Sequence, residues 1–172
     1  ESLPQLIALA RSHPGKLNWS SGGGALTYLL AGFVKSAGLD MVAVSYREQN
    51  LALQDLAAGR LQVMITVLAA LLPSVQSGKA QLLAVTNDRR APSAPEVSTV
   101  TELGYPELAF EGLWGFFGGR DTPTERRDRI AADVRSVATD PVLAERLAAI
   151  GQIASASTPV EFSAAIEAQR AK

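Results

Sequence analysis

Ser20-Ser21-Gly22-Gly23-Gly24, running straight into the apolar stretch from Ala25 to Lys35, holds the residue types best suited to chemistry in this sequence. A strand that feeds a glycine-rich turn at a helix start leaves several backbone N–H groups without an intrahelical acceptor. Those donors and the positive end of the helix dipole together favour an anion. Successive glycines let a ligand approach the main chain closely and tolerate positive φ. Trp19 stands directly before the turn and is, by position, a candidate wall of the same site. A plain tight turn with a serine N-cap accounts for these residues equally well, so both readings stand at this point.

Other chemistries fail on the same residues. A P-loop requires Gly-Lys-Ser/Thr where Ala25-Leu26-Thr27 stand. A dinucleotide fingerprint requires glycine at Thr27 and an acidic residue closing the next strand, which instead ends in Ser45-Tyr46. Ser20 and Ser21 lie outside any Gly-x-Ser-x-Gly elbow, and the single histidine, His13, belongs to a turn beside Pro14. A nucleophile without a base makes no triad. Asp55, Glu125, Asp128 and Glu145 are dispersed along helices and read as solvated faces. With no cysteine and no histidine pair, thiolate metal sites and disulfides are excluded. The expectation is a binding protein that is not an enzyme, with no catalytic residues, no metal and no cofactor.

The elements that must position this turn follow from apolar pattern and punctuation. Ser2-Leu3-Pro4-Gln5 reads as a capping box opening a helix whose apolar side is Leu6, Ile7, Leu9 and Ala10. Lys16 to Trp19 forms a short strand, and Gly38 stops the helix after the glycine turn. Three further apolar runs, Met41–Val44, Leu61–Val67 and Gln81–Thr86, alternate with helices, one capped by Asn50 and ending at Gly59 and one over Leu68–Gln76. Runs without apolar/polar alternation are covered on both faces, so the fold class is α/β with a parallel-dominated sheet flanked by helices. Residues 87–98 read as a loop. Phe110 to Phe117 reads as a bent strand, and its aromatics Phe110, Trp114, Phe116 and Phe117 as core. Helices starting at Thr122-Pro123-Thr124-Glu125, at Asp140-Pro141 and at Thr158-Pro159-Val160-Glu161 close the chain, the last running to Lys172.

Composition sets the outer limits. The chain has 172 residues, 47% of them hydrophobic, with a formal net charge of −1. Near-neutral charge without a basic cluster argues against nucleic acid, whose phosphates demand one. No apolar stretch nears the roughly 18 residues that span a bilayer. No signal peptide precedes the first helix, so the expectation is that any such leader lies outside this sequence.

Order and spacing of several short segments resemble the second lobe of the tripartite tricarboxylate transporter receptors, the Bug-type solute-binding proteins. They are Pro14-Gly15-Lys16-Leu17-Asn18 before the serine-glycine turn; Tyr46, Ala52-Leu53, Asp55-Leu56 and Gly59; Leu72-Pro73, Gly78-Lys79 and Leu83-Ala84-Val85-Thr86; Pro95-Glu96-Val97-Ser98-Thr99-Val100; and Gly115-Phe116-Phe117 with Thr122-Pro123. The resemblance implies a periplasmic-binding-protein type II lobe over residues 1–118, plus C-terminal helices over 119–172 that pack partly on a first lobe not represented here. It implies a periplasmic receptor for a small carboxylate, with membrane transporter subunits as partners and self-association where the first lobe is missing. The ligand-binding residues it implies are Trp19, Ser20, Ser21, Gly22, Gly23, Gly24, Ala25 and Thr66.

Departures from the family pattern fall at Leu26, Leu29, Thr66-Val67 and Arg47-Glu48. They remove polar groups from the expected cleft and point to an aromatic or aliphatic monocarboxylate. The other reading of the same fold is the effector-sensing domain of a transcription regulator. One lobe alone is expected to bind carboxylates weakly or not at all. A micromolar complex needs about 8 kcal/mol, against roughly 0.3–2 from a helix terminus and about 1.5–3 per charge-assisted hydrogen bond.

Overall fold

The computed structural model describes residues 2–170. Helix α1 (Leu3–Ser12) begins where the Ser2 hydroxyl accepts from the Gln5 N–H at 3.4 Å and the Gln5 carboxamide oxygen accepts from the Ser2 N–H at 2.8 Å. That reciprocal cap satisfies donors the helix cannot satisfy itself. Leu3, Ile7 and Ala10 share one buried side of α1. Leu9, expected beside them, is 42% exposed.

Strand β1 (Asn18–Ser21) lies between β2 (Val42–Ala43) and β3 (Val63–Ile65), parallel to both, in a three-stranded sheet of order β2-β1-β3. Helix α2 (Ala25–Ser36) connects β1 to β2, α3 (Gln49–Ala57) connects β2 to β3, and α4 (Leu68–Gln76) follows β3. Parallel neighbours require such crossovers, because a hairpin returns the chain in the opposite direction. Trp19 stands in register with Ala43 on one side and Val63 on the other. It joins Leu3, Ile7, Leu30, Phe33, Val100 and Leu108 in the core cluster, against which Val63 and Ile65 also pack. A parallel sheet flanked by helices, as the apolar runs require, is therefore the architecture of this part.

Several expectations need correction. Gln81–Thr86 is no strand; it makes a single parallel bridge, Val85 to Thr99. The ladder stops there because Thr99 is followed at once by a turn, in which the Leu103 N–H donates to the Thr99 carbonyl. Helix α3 starts at Gln49 after Glu48, with no side-chain cap, so Asn50 is not its cap. Thr122 does not cap the next helix either: Pro123 occupies that position, and the Thr122 N–H turns back to the Gly119 carbonyl at 3.0 Å.

The framework divides into two compact units, one ending at Glu111 and the other starting at Gly112. The second contains α5 (Thr124–Ala138), α6 (Pro141–Ala149) and α7 (Pro159–Arg170), none of which buries a residue. Asp140 caps α6 by accepting from the Val142 N–H at 2.8 Å. Thr158 and Glu161 cap α7 reciprocally, at 2.8 and 3.2 Å. The far end expected for this helix, at Lys172, lies outside the described residues.

Residues 110–117 form no strand, and Trp114, Phe116 and Phe117 are 75%, 82% and 77% exposed, so they are not core. The Phe110 N–H donates to the Thr86 carbonyl at 2.9 Å, but among the described residues no strand pairs with the segment. Phe117 lies beside the Phe162 ring of α7, with centroids 5.7 Å apart.

Candidate functional site

The serine-glycine turn sits at the end of the central strand. The Gly22 N–H donates to the Ile65 carbonyl at 2.8 Å, continuing the β1–β3 ladder past Ser21. This lays Gly22 against Thr66, whose Oγ1 is 2.6 Å from where a Cβ on Gly22 would stand. A side chain on Gly22 would have to displace Thr66. Gly24, the N-cap of α2, has φ 60° and ψ −139°, a conformation open essentially to glycine alone, and offers no side-chain cap.

The amides of the turn have different fates. Gly22 is held by the sheet, and the Gly23 N–H donates to Ser21 Oγ at 3.2 Å. Ser21 Oγ in turn lies 2.6 Å from Thr27 Oγ1. Thr27 donates its own N–H to the Gly24 carbonyl at 3.1 Å. Gly24, Ala25 and Leu26 remain: their N–H groups have no acceptor among the described residues, and Gly24 and Ala25 are exposed. The serine N-cap of the plain-turn reading is absent, because Ser21 is engaged with Gly23 and Thr27.

Burial sorts the remaining candidates. Trp19 is 6% exposed and packed in the core, so its ring supports the strand and offers the turn no wall. Ser20 is 4% exposed. Thr66 is partly buried, and its Oγ1 accepts from Gln49 Nε2 at 3.0 Å. Thr27 and Gln49 therefore belong to this cluster although sequence reasoning passed over both. A hydroxyl at the third position of a helix opened by a serine turn was a usable signal for Thr27. Nothing in the sequence pointed to Gln49, whose partner lies 17 positions along the chain.

No charged side chain is hydrogen-bonded to the turn among the described residues, so its electropositive character comes from the main chain. A charged cluster braces the neighbouring helix instead. Asp55, expected as a solvated face, accepts from Tyr46 Oη at 2.8 Å and from Arg60 Nε and Nη2 at 2.9 and 2.6 Å. The Tyr46 hydrogen bond first, and the Arg60 guanidinium second, hold the Asp55 carboxyl below its usual range. The same bond to Asp55 pushes the Tyr46 phenol up. The cluster ties the segment entering α3 to the turn leaving it. Among the described residues no group of His, Asp or Glu is placed to hold a metal, and no helix is long and apolar enough to cross a membrane.

The sequence pattern of the Tripartite tricarboxylate transporter family receptor matches residues 1–166. The chain belongs to this receptor family. A UPF0065 protein from the tcbD-tcbE intergenic region of Pseudomonas sp. (strain P51) is 30% identical over 152 residues, covering 87% of the chain and 45% of that relative. A solved periplasmic transporter superposes with a TM-score of 0.87 at 25% identity, covering 98% of the chain and 57% of that structure. An R. palustris protein solved with adipate gives a TM-score of 0.75 at 26% identity over 99% of the chain and 57% of that structure. The receptor-family chain thus spans about half the length of these three relatives. The fold of these neighbours agrees with the periplasmic-binding-protein lobe implied by the resemblance.

Proposed function

We propose that this chain supplies the second ligand-binding lobe of a periplasmic receptor, which captures a small carboxylate for the membrane subunits of a tripartite tricarboxylate-type transporter. The observation that carries this reading is the set of open N–H groups on Gly24, Ala25 and Leu26 at the exposed start of α2. Main-chain donors at a helix N-terminus suit a carboxylate without a cationic partner. The family, and a similar protein solved with adipate, support the ligand class. In this reading the lobe spans residues 1–118, a little beyond the compact unit that ends at Glu111, and the helices that follow pack partly on a first lobe. Ser20, Ser21, Gly22 and Gly23 shape the turn, while Thr66 borders it.

The donors of one lobe leave most of a carboxylate in water, so the expected affinity for the chain alone is weak, on the order of millimolar, and tighter capture requires a second lobe closing over the ligand. Ala25→Pro tests the donor assignment. Proline removes the N–H at the first helical position, where its fixed φ suits the helix. The variant should keep the wild-type far-UV circular dichroism and weaken adipate binding roughly tenfold, the size expected for one hydrogen bond to a charged group. Unchanged adipate affinity in a folded Ala25→Pro chain would refute the reading.

A further inference from the structure

We infer that Gln49 is a positioning residue of this carboxylate site, acting through the Thr66 hydroxyl; the inference rests on the function proposed above. The Gln49 carboxamide donates to Thr66 Oγ1 at 3.0 Å. An oxygen that accepts from an amide turns its own hydrogen elsewhere, and Thr66 has no protein acceptor for that hydrogen among the described residues. Its hydroxyl lies directly against Gly22, the residue that leads into the open amides of Gly24, Ala25 and Leu26. Gln49 thereby fixes the rotamer of Thr66 and sets its proton free as a further donor at the rim of the turn. The carboxamide can do this because it is the first residue of α3, whose preceding segment is held to the far end of the same helix by the Tyr46–Asp55–Arg60 bonds. A donor of this kind suits an acceptor-only ligand group such as an ionised carboxylate.

The test is an amide-resolved NMR titration with sodium adipate at constant ionic strength, on the wild-type chain and on Gln49→Leu, Thr66→Val, Thr66→Ser and the Gln49→Leu/Thr66→Val double variant. Gln49→Leu and Thr66→Val should each weaken adipate on the order of tenfold, and Thr66→Ser should bind within a few-fold of wild type. Because Gln49 acts through Thr66, the double variant should be no weaker than either single one. Thermal midpoints within a degree or so of wild type would separate this role from general support of the fold. Wild-type affinity in Gln49→Leu would overturn the inference alone, as would multiplying effects in the double variant. A wild-type chain whose Gly24, Ala25 and Leu26 amides ignore adipate would overturn the underlying reading, and this inference with it.

Discussion

Gly22 is the residue on which the turn's geometry depends most. Its N–H keeps β1 and β3 in register to the end of the strand, and its missing side chain leaves room for Thr66 Oγ1. Gly22→Ala should cost about 1–3 kcal/mol of stability, the usual range for overpacking. Thr66→Ala should recover part of that loss, because it removes the hydroxyl while Cβ stays at 3.2 Å. Urea midpoints of the two single variants and the pair would measure this, and an unperturbed Gly22→Ala would show that the turn yields freely. Sequence alone identified the glycine turn and its helix. It misplaced Trp19, because position beside a turn says nothing about which face of the strand a ring takes. It missed Gln49, because a side-chain bond between two separate connections leaves no local pattern.

At the level of elements, charged hydrogen bonds brace the connection between Arg90 and Glu102. Glu102 accepts from the Thr99 N–H and from Arg90 Nε, both at 2.9 Å, and Arg90 also donates to the Pro95 carbonyl at 3.1 Å. The Thr99 hydrogen bond first, then Arg90, hold the Glu102 carboxyl below its ordinary value of 4.5. A carboxyl whose pKa falls on folding adds stability above its unfolded value and loses it as pH drops through the folded one. Thermal midpoints should therefore decline below about pH 4.5, and Glu102→Gln should be less stable near neutral pH while declining less steeply in acid. A variant curve parallel to wild type would contradict this.

The element types were legible where an apolar run met a clear start signal, as at Ser2, Asp140 and Thr158. They were illegible where pairing depended on a distant neighbour. Gln81–Thr86 has the composition of a strand but makes only isolated backbone bonds, Val85 with Ser98 and Val100 and Thr86 with Phe110, and among the described residues no strand pairs with 110–117. Proline misled at Thr122-Pro123, where the threonine folds back on Gly119.

On the scale of the whole molecule, two units with different character share one chain. The first carries the core and the open turn; the helices of the second bury nothing, and its aromatics Trp114, Phe116 and Phe117 face outward. Exposed apolar surface of this kind drives association. Sedimentation velocity should show the chain associating as its concentration rises, with Phe116→Ser and Phe117→Ser reducing the effect. A concentration-independent monomer would remove the case for an apolar covering of this unit. For the receptor assignment itself, the decisive measurement is the amide spectrum of the wild-type chain as adipate is raised into the millimolar range. The largest shifts should fall on Gly24, Ala25 and Leu26, with saturation at millimolar adipate. Shifts that are absent there, or that gather in another part of the chain, would contradict a carboxylate site at the start of α2.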